Sequence, residues 1–229
     1  MPSKKQHQFS KSGVHISVID SSSMSPAQSF ALVDTQLGSI DASNAAVEAA
    51  KRGDHQTAAN LHRQALEGKL KMFPETSIQA ALSFNGLGEK LLLLGDIPGA
   101  EYNLTKALRV RDDESFGGLG TGPRYDAAVT RENMAQLREA QGRFEEAKDI
   151  RLRGKSKGQV CCGNYNCPGQ MFLLSELKSC SKCSCVFYCS PDCQLKDWDR
   201  HKDLCKAERA RRKAQTVEEE KEEKAANPN

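Results

Sequence analysis

The chain has 229 residues and a nearly balanced charge, with 33 basic and 30 acidic side chains. This length accommodates one or two domains, and the small net charge of +3 argues against nucleic acid or a membrane surface as a default partner. All nine cysteines lie between Cys161 and Cys205, so the composition predicts a separate cysteine-rich region after a cysteine-free one.

The sequence also predicts the compartment. No early apolar stretch reaches the ~7–15 residues that secretion requires, and the run Leu91–Leu94 is far shorter than the ~20 residues of a spanning helix. We therefore expect an intracellular protein of the cytoplasm or nucleus, neither secreted nor membrane-spanning. Thiols stay reduced there, so an odd number of clustered cysteines favours metal binding over the alternative of a disulfide scaffold.

Residues 1–40 are rich in Ser, Gln and Lys and show no sustained periodicity. We expect a mostly disordered N-terminal segment, because such a composition buries too little apolar surface to offset the entropy of ordering.

Residues 41–155 show a repeated helical pattern. Gly53, Gly95 and Gly142 are each followed five residues later by Ala, and a second Ala comes seven residues further on in the first two copies. A glycine in a left-handed conformation commonly ends a helix. The pattern therefore predicts one helical hairpin per copy, with the small Ala allowing close approach of two helices. A generic helical bundle is the alternative.

These Gly and Ala positions resemble the tetratricopeptide repeat. The glycines are 42 and 47 residues apart, longer than the usual ~34, which is similar to the kinesin-light-chain type of repeat with an extended loop between hairpins. We expect that loop between Arg111 and Gly122. The resemblance implies an array of hairpins that offers a surface to a protein partner.

Four closely spaced pairs of metal ligands follow. They are Cys162 and Cys167, Cys180 and Cys183, Cys189 and Cys193, and His201 and Cys205. Zinc takes four such ligands in a tetrahedron, and a catalytic zinc keeps an open position. Eight ligands complete two ions and leave no position open, so we expect two structural Zn²⁺ ions.

The spacing favours an interleaved arrangement, because only five residues separate Cys183 from Cys189. In this cross-brace the first and third pairs bind one ion, and the second and fourth pairs bind the other. Cys161 directly precedes Cys162 and is the alternative first ligand. Cys185 is a ninth, spare thiol, which we expect to be buried.

Residues 162–205, and above all the run Phe187–Cys205, resemble a MYND-type zinc finger. In similar fingers a helix after the third pair forms a shallow groove for proline-containing segments, contacted from the positions of Gln194 and Trp198. The resemblance thus implies peptide recognition by these two residues. The alternative is that Trp198 packs against the zinc core as a hydrophobic anchor, and both roles are compatible.

The predicted fold class is mainly α, and four regions make it up. They are a mostly disordered segment (1–40), tetratricopeptide-like helical repeats (41–155), a small two-zinc cross-brace finger (160–205) and a charged helical or disordered tail (206–229).

We interpret the chain as a non-enzymatic adaptor. Its finger would bind proline-containing segments of a protein, and its repeats a second partner. A transcriptional co-regulator and a substrate adaptor of a ubiquitin ligase are alternatives, as is a relative of the MYND-containing methyltransferases, although no segment is long enough for a SET domain. Five basic and five acidic residues between Gly158 and Cys205 provide no basic stripe for DNA phosphates.

Overall fold

The computed structural model describes residues 23–113, 125–167, 169 and 171–226, with side chains to residue 222. These residues contain eight α-helices and one two-stranded sheet. In chain order they are α1 (Pro26–Lys51), α2 (His55–Met72), α3 (Ile78–Leu93), α4 (Ile97–Arg111), α5 (Tyr125–Ala140), α6 (Phe144–Leu152), β1 (Lys178–Ser179), β2 (Phe187–Tyr188), α7 (Pro191–Lys196) and α8 (Trp198–Ala226). The mainly helical fold predicted from the sequence is confirmed.

The chain divides into two compact units, residues 1–134 and 135–229, and the boundary lies inside α5. No helix of the described ranges has both the length and the apolar character needed to cross a bilayer.

The first unit is built from consecutive helical hairpins. Helix α1 packs on α2, α2 on α3, and α3 on α4. Gly53 and Gly95 have φ angles of +79° and +81° in the two hairpin turns, as the predicted left-handed caps require. The carboxylate of Asp54 accepts a hydrogen bond from Thr57 N–H at 3.0 Å, and Asp96 does the same for Gly99. Both hairpins thus use the same turn, a left-handed glycine followed by an aspartate cap. The second helix of each hairpin therefore begins at the same distance from its glycine.

Small residues allow the helices to approach closely. A Cβ atom on Gly68 of α2 would lie 2.0 Å from the Ser39 hydroxyl of α1, and one on Gly88 of α3 would lie 2.7 Å from Leu104 of α4. A larger residue at Gly88 would have to displace Leu104, and one at Gly68 would have to displace the Ser39 side chain. The core is correspondingly rich in alanine, with Phe84 and Leu104 as its largest almost completely buried apolar members.

Residues 26–40, which we expected to be mostly disordered, belong to α1. The helix therefore begins earlier than the sequence indicated. Ser25 and Gln28 form a capping box, in which each side chain bonds the other residue's backbone N–H, at 3.3 and 2.8 Å. Small residues of α1 face α2 while larger apolar ones face outward, which is the reverse of an ordinary surface helix. Residues 1–22 lie outside the described residues, as do positions 114–122 of the loop predicted between Arg111 and Gly122.

The second unit begins with the end of α5 and joins it to α6 through Gly142, whose φ angle is +75°. The finger follows. Strand β1 pairs antiparallel with β2, with Lys178 opposite Tyr188. The tail is helical through α8, which confirms the charged helix predicted after the finger.

Candidate metal centre

The first pair of predicted ligands lies on a tight turn. Asn164 C=O accepts a hydrogen bond from Cys167 N–H at 3.0 Å, and its side-chain oxygen accepts one from Asn166 N–H at 3.1 Å. This turn accommodates the four residues between Cys162 and Cys167. Gly163 is required beside it, because a Cβ atom there would lie 2.3 Å from Val186.

The second pair lies on the loop between the strands. Cys180 N–H donates to Val186 C=O at 2.8 Å, and Cys180 C=O accepts from Ser184 N–H at 2.8 Å. Ser184 has a positive φ angle of 53°, which turns the chain sharply after Cys183. Both thiols therefore point to the same side of a short hairpin.

The third pair is positioned by a helix start. The Ser190 hydroxyl caps α7 by accepting from Cys193 N–H at 3.2 Å, and Pro191 occupies the first helical turn. The fourth pair lies on α8, where His201 and Cys205 are four residues apart and share one face. The third and fourth pairs thus belong to two separate helices, which are interrupted at Asp197.

The structure gathers these side chains into two groups of four. One contains Cys162, Cys167, Cys189 and Cys193; the other contains Cys180, Cys183, His201 and Cys205. The ligand atoms within each group lie within 4.8 Å of one another, a separation compatible with a shared tetrahedral ion. Cys162, and not Cys161, belongs to the first group.

The chemistry of the donors fits zinc. Burial raises the pKa of the Cys162 thiol, and it raises the pKa of Cys205 to about 12. Several buried thiols cannot ionise together without a cation, whereas a bound metal deprotonates its thiol ligands. The two clusters can therefore hold two zinc ions.

Asn164 makes a contact to the first group that the sequence did not reveal. Its side-chain amide lies 3.3 Å from the Cys193 sulfur and donates a hydrogen bond to it. Burial raises the pKa of Cys193, but hydrogen bonds from Asn164 and Ser190 outweigh this and lower it to about 7. Such a bond orients a metal ligand and stabilises its charged form.

The ninth cysteine is buried in a polar cluster between α5, α6 and the finger. Cys185 is 1% exposed, and its sulfur lies 3.4 Å from the Glu139 carboxylate and 3.3 Å from Phe144 C=O. Arg151 donates to Glu139 at 2.7 Å and to Cys185 C=O at 3.2 Å. The expected burial of this thiol is confirmed, and its neighbours connect the last helical hairpin to the finger.

Arg200 extends this cluster toward the second ligand group. Its guanidinium lies 3.4 Å from Glu139 and bonds Asp197 at both carboxylate oxygens, at 2.7 and 2.6 Å. Asp197 also accepts a hydrogen bond from the Tyr188 hydroxyl at 2.7 Å. The Tyr188 ring meets the His201 ring edge-on at 6.1 Å. A chain of polar contacts thus runs from α5 to Tyr188, whose ring lies against a candidate zinc ligand.

The two residues assigned to peptide binding lie on the outer side of α7 and α8. Trp198 is 38% exposed, and its ring also meets that of His201 edge-on at 6.1 Å. Gln194 is half-buried, and among the described residues its side-chain amide has no hydrogen-bond partner. Leu195 is 72% exposed beside them. Trp198 therefore both packs on a ligand and presents surface.

Glu139 and Arg151 were absent from the sequence interpretation. Both belong to helices that the sequence assigned to the third repeat. No local sequence motif predicts that a charged residue on such a helix is buried. A charged residue in a helix is normally solvent-exposed, so only the packing of the finger on α6 identifies these two.

Residues 160–205 match the MYND finger family. The zinc finger MYND domain-containing protein 10 homolog of Drosophila melanogaster is 30% identical over 135 residues, which are 54% of this chain and 30% of that protein. The histone-lysine N-methyltransferase ASHR1 of Arabidopsis thaliana is 43% identical over 56 residues, 22% of this chain and 12% of that protein. A SET and MYND domain-containing protein of Dictyostelium discoideum is 60% identical over 30 residues, 13% of this chain and 6% of that protein.

The chain therefore spans less than a third of the length of these relatives. No solved structure was found to match it. MYND fingers are protein-interaction modules, and the Arabidopsis and Dictyostelium relatives match this chain over 56 and 30 residues.

Proposed function

We propose that this protein is a non-enzymatic adaptor whose MYND finger binds proline-containing segments of partner proteins through Gln194 and Trp198. The observation that carries this proposal is the surface of α7 and α8. The exposed Trp198 and Leu195 lie beside Gln194, whose side-chain amide has no hydrogen-bond partner among the described residues. An aromatic face can pack against a proline ring while an amide bonds the peptide backbone.

The metal centre supports a role in binding rather than catalysis. Each candidate group supplies four ligands, which complete the coordination of one zinc and leave no position for water or substrate. The methyltransferase activity named for the Arabidopsis relative belongs to a protein of which this chain covers 12%. Methyl transfer from S-adenosylmethionine by the purified chain would contradict the non-enzymatic assignment.

The hairpins of α1 to α4 would provide a second binding surface. Their repeated glycine turns and aspartate caps support the tetratricopeptide-like interpretation, in which stacked hairpins present an extended surface. Two separate surfaces on one chain are what an adaptor needs to bring two proteins together.

Affinity capture with mass spectrometry tests the finger. The full chain is compared with a Gln194→Ala/Trp198→Ala variant that retains two zinc ions per chain. We expect a discrete set of partners with proline-containing segments to be lost, with synthetic peptides from them binding the variant at least about 30-fold more weakly, as for a hot-spot residue.

The matched control is Tyr165→Ala, because Tyr165 is another aromatic residue of the finger and is 67% exposed. It should leave capture unchanged. If the double variant keeps the same partners and affinities, the peptide site is elsewhere, and the hairpins become the main recognition surface.

A further inference from the structure

Helix α1 carries a row of large apolar side chains that nothing in the described structure covers. Phe30, Val33, Leu37, Ile40 and Val47 are 75%, 53%, 55%, 45% and 47% exposed. The opposite face of the helix, which packs on α2, carries small residues such as Ala42, Ala46 and Ala49. The larger apolar residues are thus outside and the smaller ones inside, the reverse of an ordinary surface helix.

The spacing of the exposed row is that of a coiled-coil seam. The positions alternate in steps of three and four residues, and Asn44 completes the series before Val47. In a heptad written abcdefg, positions a are Phe30, Leu37 and Asn44. Positions d are Val33, Ile40 and Val47. A repeat of this kind keeps one seam facing a partner helix, and a polar Asn at one a position specifies register and a two-stranded state.

We propose that α1 pairs with α1 of a second copy of this chain, in parallel, to form a dimer. The exposed row is short, so we expect an interface at the lower end of the range for specific protein pairs, about 1,000 to 1,200 Å² in total. The same row on both copies gives a closed, two-fold symmetric contact.

The charges at the edges of the seam select the parallel orientation. Positions e are all acidic: Asp34, Asp41 and Glu48. Positions g are uncharged: Ser29, Gln36, Ser43 and Ala50. A parallel pair brings e beside g of the other copy, so that no like charges meet. An antiparallel pair brings e beside e, and the repulsion between carboxylates opposes it. Only the parallel pair also brings Asn44 beside Asn44 of the other copy.

The mass of the purified full chain in solution tests the dimer. Light scattering should show a rise from 25.2 kDa toward twice that mass as concentration increases from about 1 to about 100 μM, the range expected for so small an interface. A Leu37→Glu/Ile40→Glu variant should keep the mass of one chain throughout. Both side chains are exposed, so helix content should not change.

The matched control is Leu82→Glu/Leu93→Glu, which alters two leucines of α3 that are 50% and 51% exposed. It should dimerise like the unaltered chain. A single-chain mass of the unaltered protein over the whole range would overturn the proposal. So would a dimer that survives Leu37→Glu/Ile40→Glu or is lost in the control.

An Asn44→Cys variant tests the orientation. The first 160 residues contain no cysteine, and the Cα atoms of facing a positions in a parallel pair are close enough for a disulfide. Mild oxidation should therefore cross-link this variant far more than the unaltered chain, in which Cys161 is a partly exposed thiol outside both ligand groups. A dimer by mass without this cross-link would overturn the parallel arrangement.

Discussion

The hairpins of the first unit and the finger of the second are stabilised in different ways. The hairpins bury a continuous series of side chains from Ala42 to Val110 between consecutive helices. The apolar cluster found among the described residues of the finger is small, with Val160, Leu177 and Phe187 as its buried members. A segment of that size cannot offset its conformational entropy by burial alone.

Both regions bury charged side chains, but only some of these are candidate metal ligands. In the first unit Asp54 caps a helix, and Arg131 is buried in an ion pair with Asp112. In the second unit the ends of α5 and α6 contribute the buried pair of Glu139 and Arg151, and the finger contributes the two groups of ligands. The finger therefore depends on coordination in a way that the hairpins do not, and removal of the metal should separate the two regions.

Removal of zinc should give the largest effect. Treatment of the full chain with a strong chelator should abolish hydrogen-exchange protection in residues 160–205, because each structural zinc contributes about 10 kcal/mol or more of folding free energy. Protection of α2 and α3 should persist. Equal loss of protection in both regions, or none in either, would contradict the comparison.

Glu139→Ala should give the next largest effect. Both partners of the Glu139–Arg151 pair are 1% exposed, and removing one leaves the other charge buried, at a cost of about 3–5 kcal/mol. Burial raises the pKa of Glu139, but the neighbouring Arg151 and Arg200 outweigh it and hold the pKa below its ordinary value. Denaturant unfolding of the second unit measures the loss.

The matched control for Glu139→Ala is Asp192→Ala, which removes a carboxylate from an exposed ion pair with Lys196. It should have little effect, because exposed pairs contribute little. If both variants unfold at a similar denaturant concentration, the buried pair contributes little to the stability of this unit.

His62 provides a pH test of the hairpins alone. Burial, with help from Lys90 and Lys69, lowers its pKa from 6.5 to about 4. Below pH 6.5 the unfolded chain takes up a proton that the folded chain does not, so stability is lost as the pH falls and levels off below about 4. From pH 7.5 to 5 the loss should be about 2 kcal/mol.

Hydrogen exchange of α2 and α3, corrected for intrinsic rates, measures this loss without interference from the zinc ligands. His62→Gln removes the titrating group and should flatten the dependence on pH. If the stability of that variant still falls with pH at the same slope, groups other than His62 are responsible for the pH dependence.

Cys185→Ala should give the smallest effect of the four. The variant should retain two zinc ions per chain, since Cys185 belongs to neither ligand group, and lose about 1 kcal/mol from its contacts with Glu139 and Phe144 C=O. Cys183→Ala, two residues away, is the comparison and should lose one zinc. Loss of zinc from Cys185→Ala would show that this thiol supports a metal site directly.

Much of the architecture could be predicted from local signals. The hairpin turns followed from Gly53 and Gly95, because a glycine just after a periodic helical segment favours the left-handed conformation that ends a helix. The two four-residue groups followed from pair spacing, because two ligands on one turn or helix face can reach one ion. The start of α1 at Pro26 was missed, although its capping box was present in the sequence.

The sequence by itself determined which residues end the hairpins and which side chains are suited to zinc, because these depend on neighbours a few residues apart. Only the tertiary structure decided that Cys162 rather than Cys161 joins the first group and that Glu139 and Arg151 are buried against Cys185. It also decided that the larger apolar face of α1 is outside. These features depend on contacts between residues far apart in the chain, and no local pattern records them.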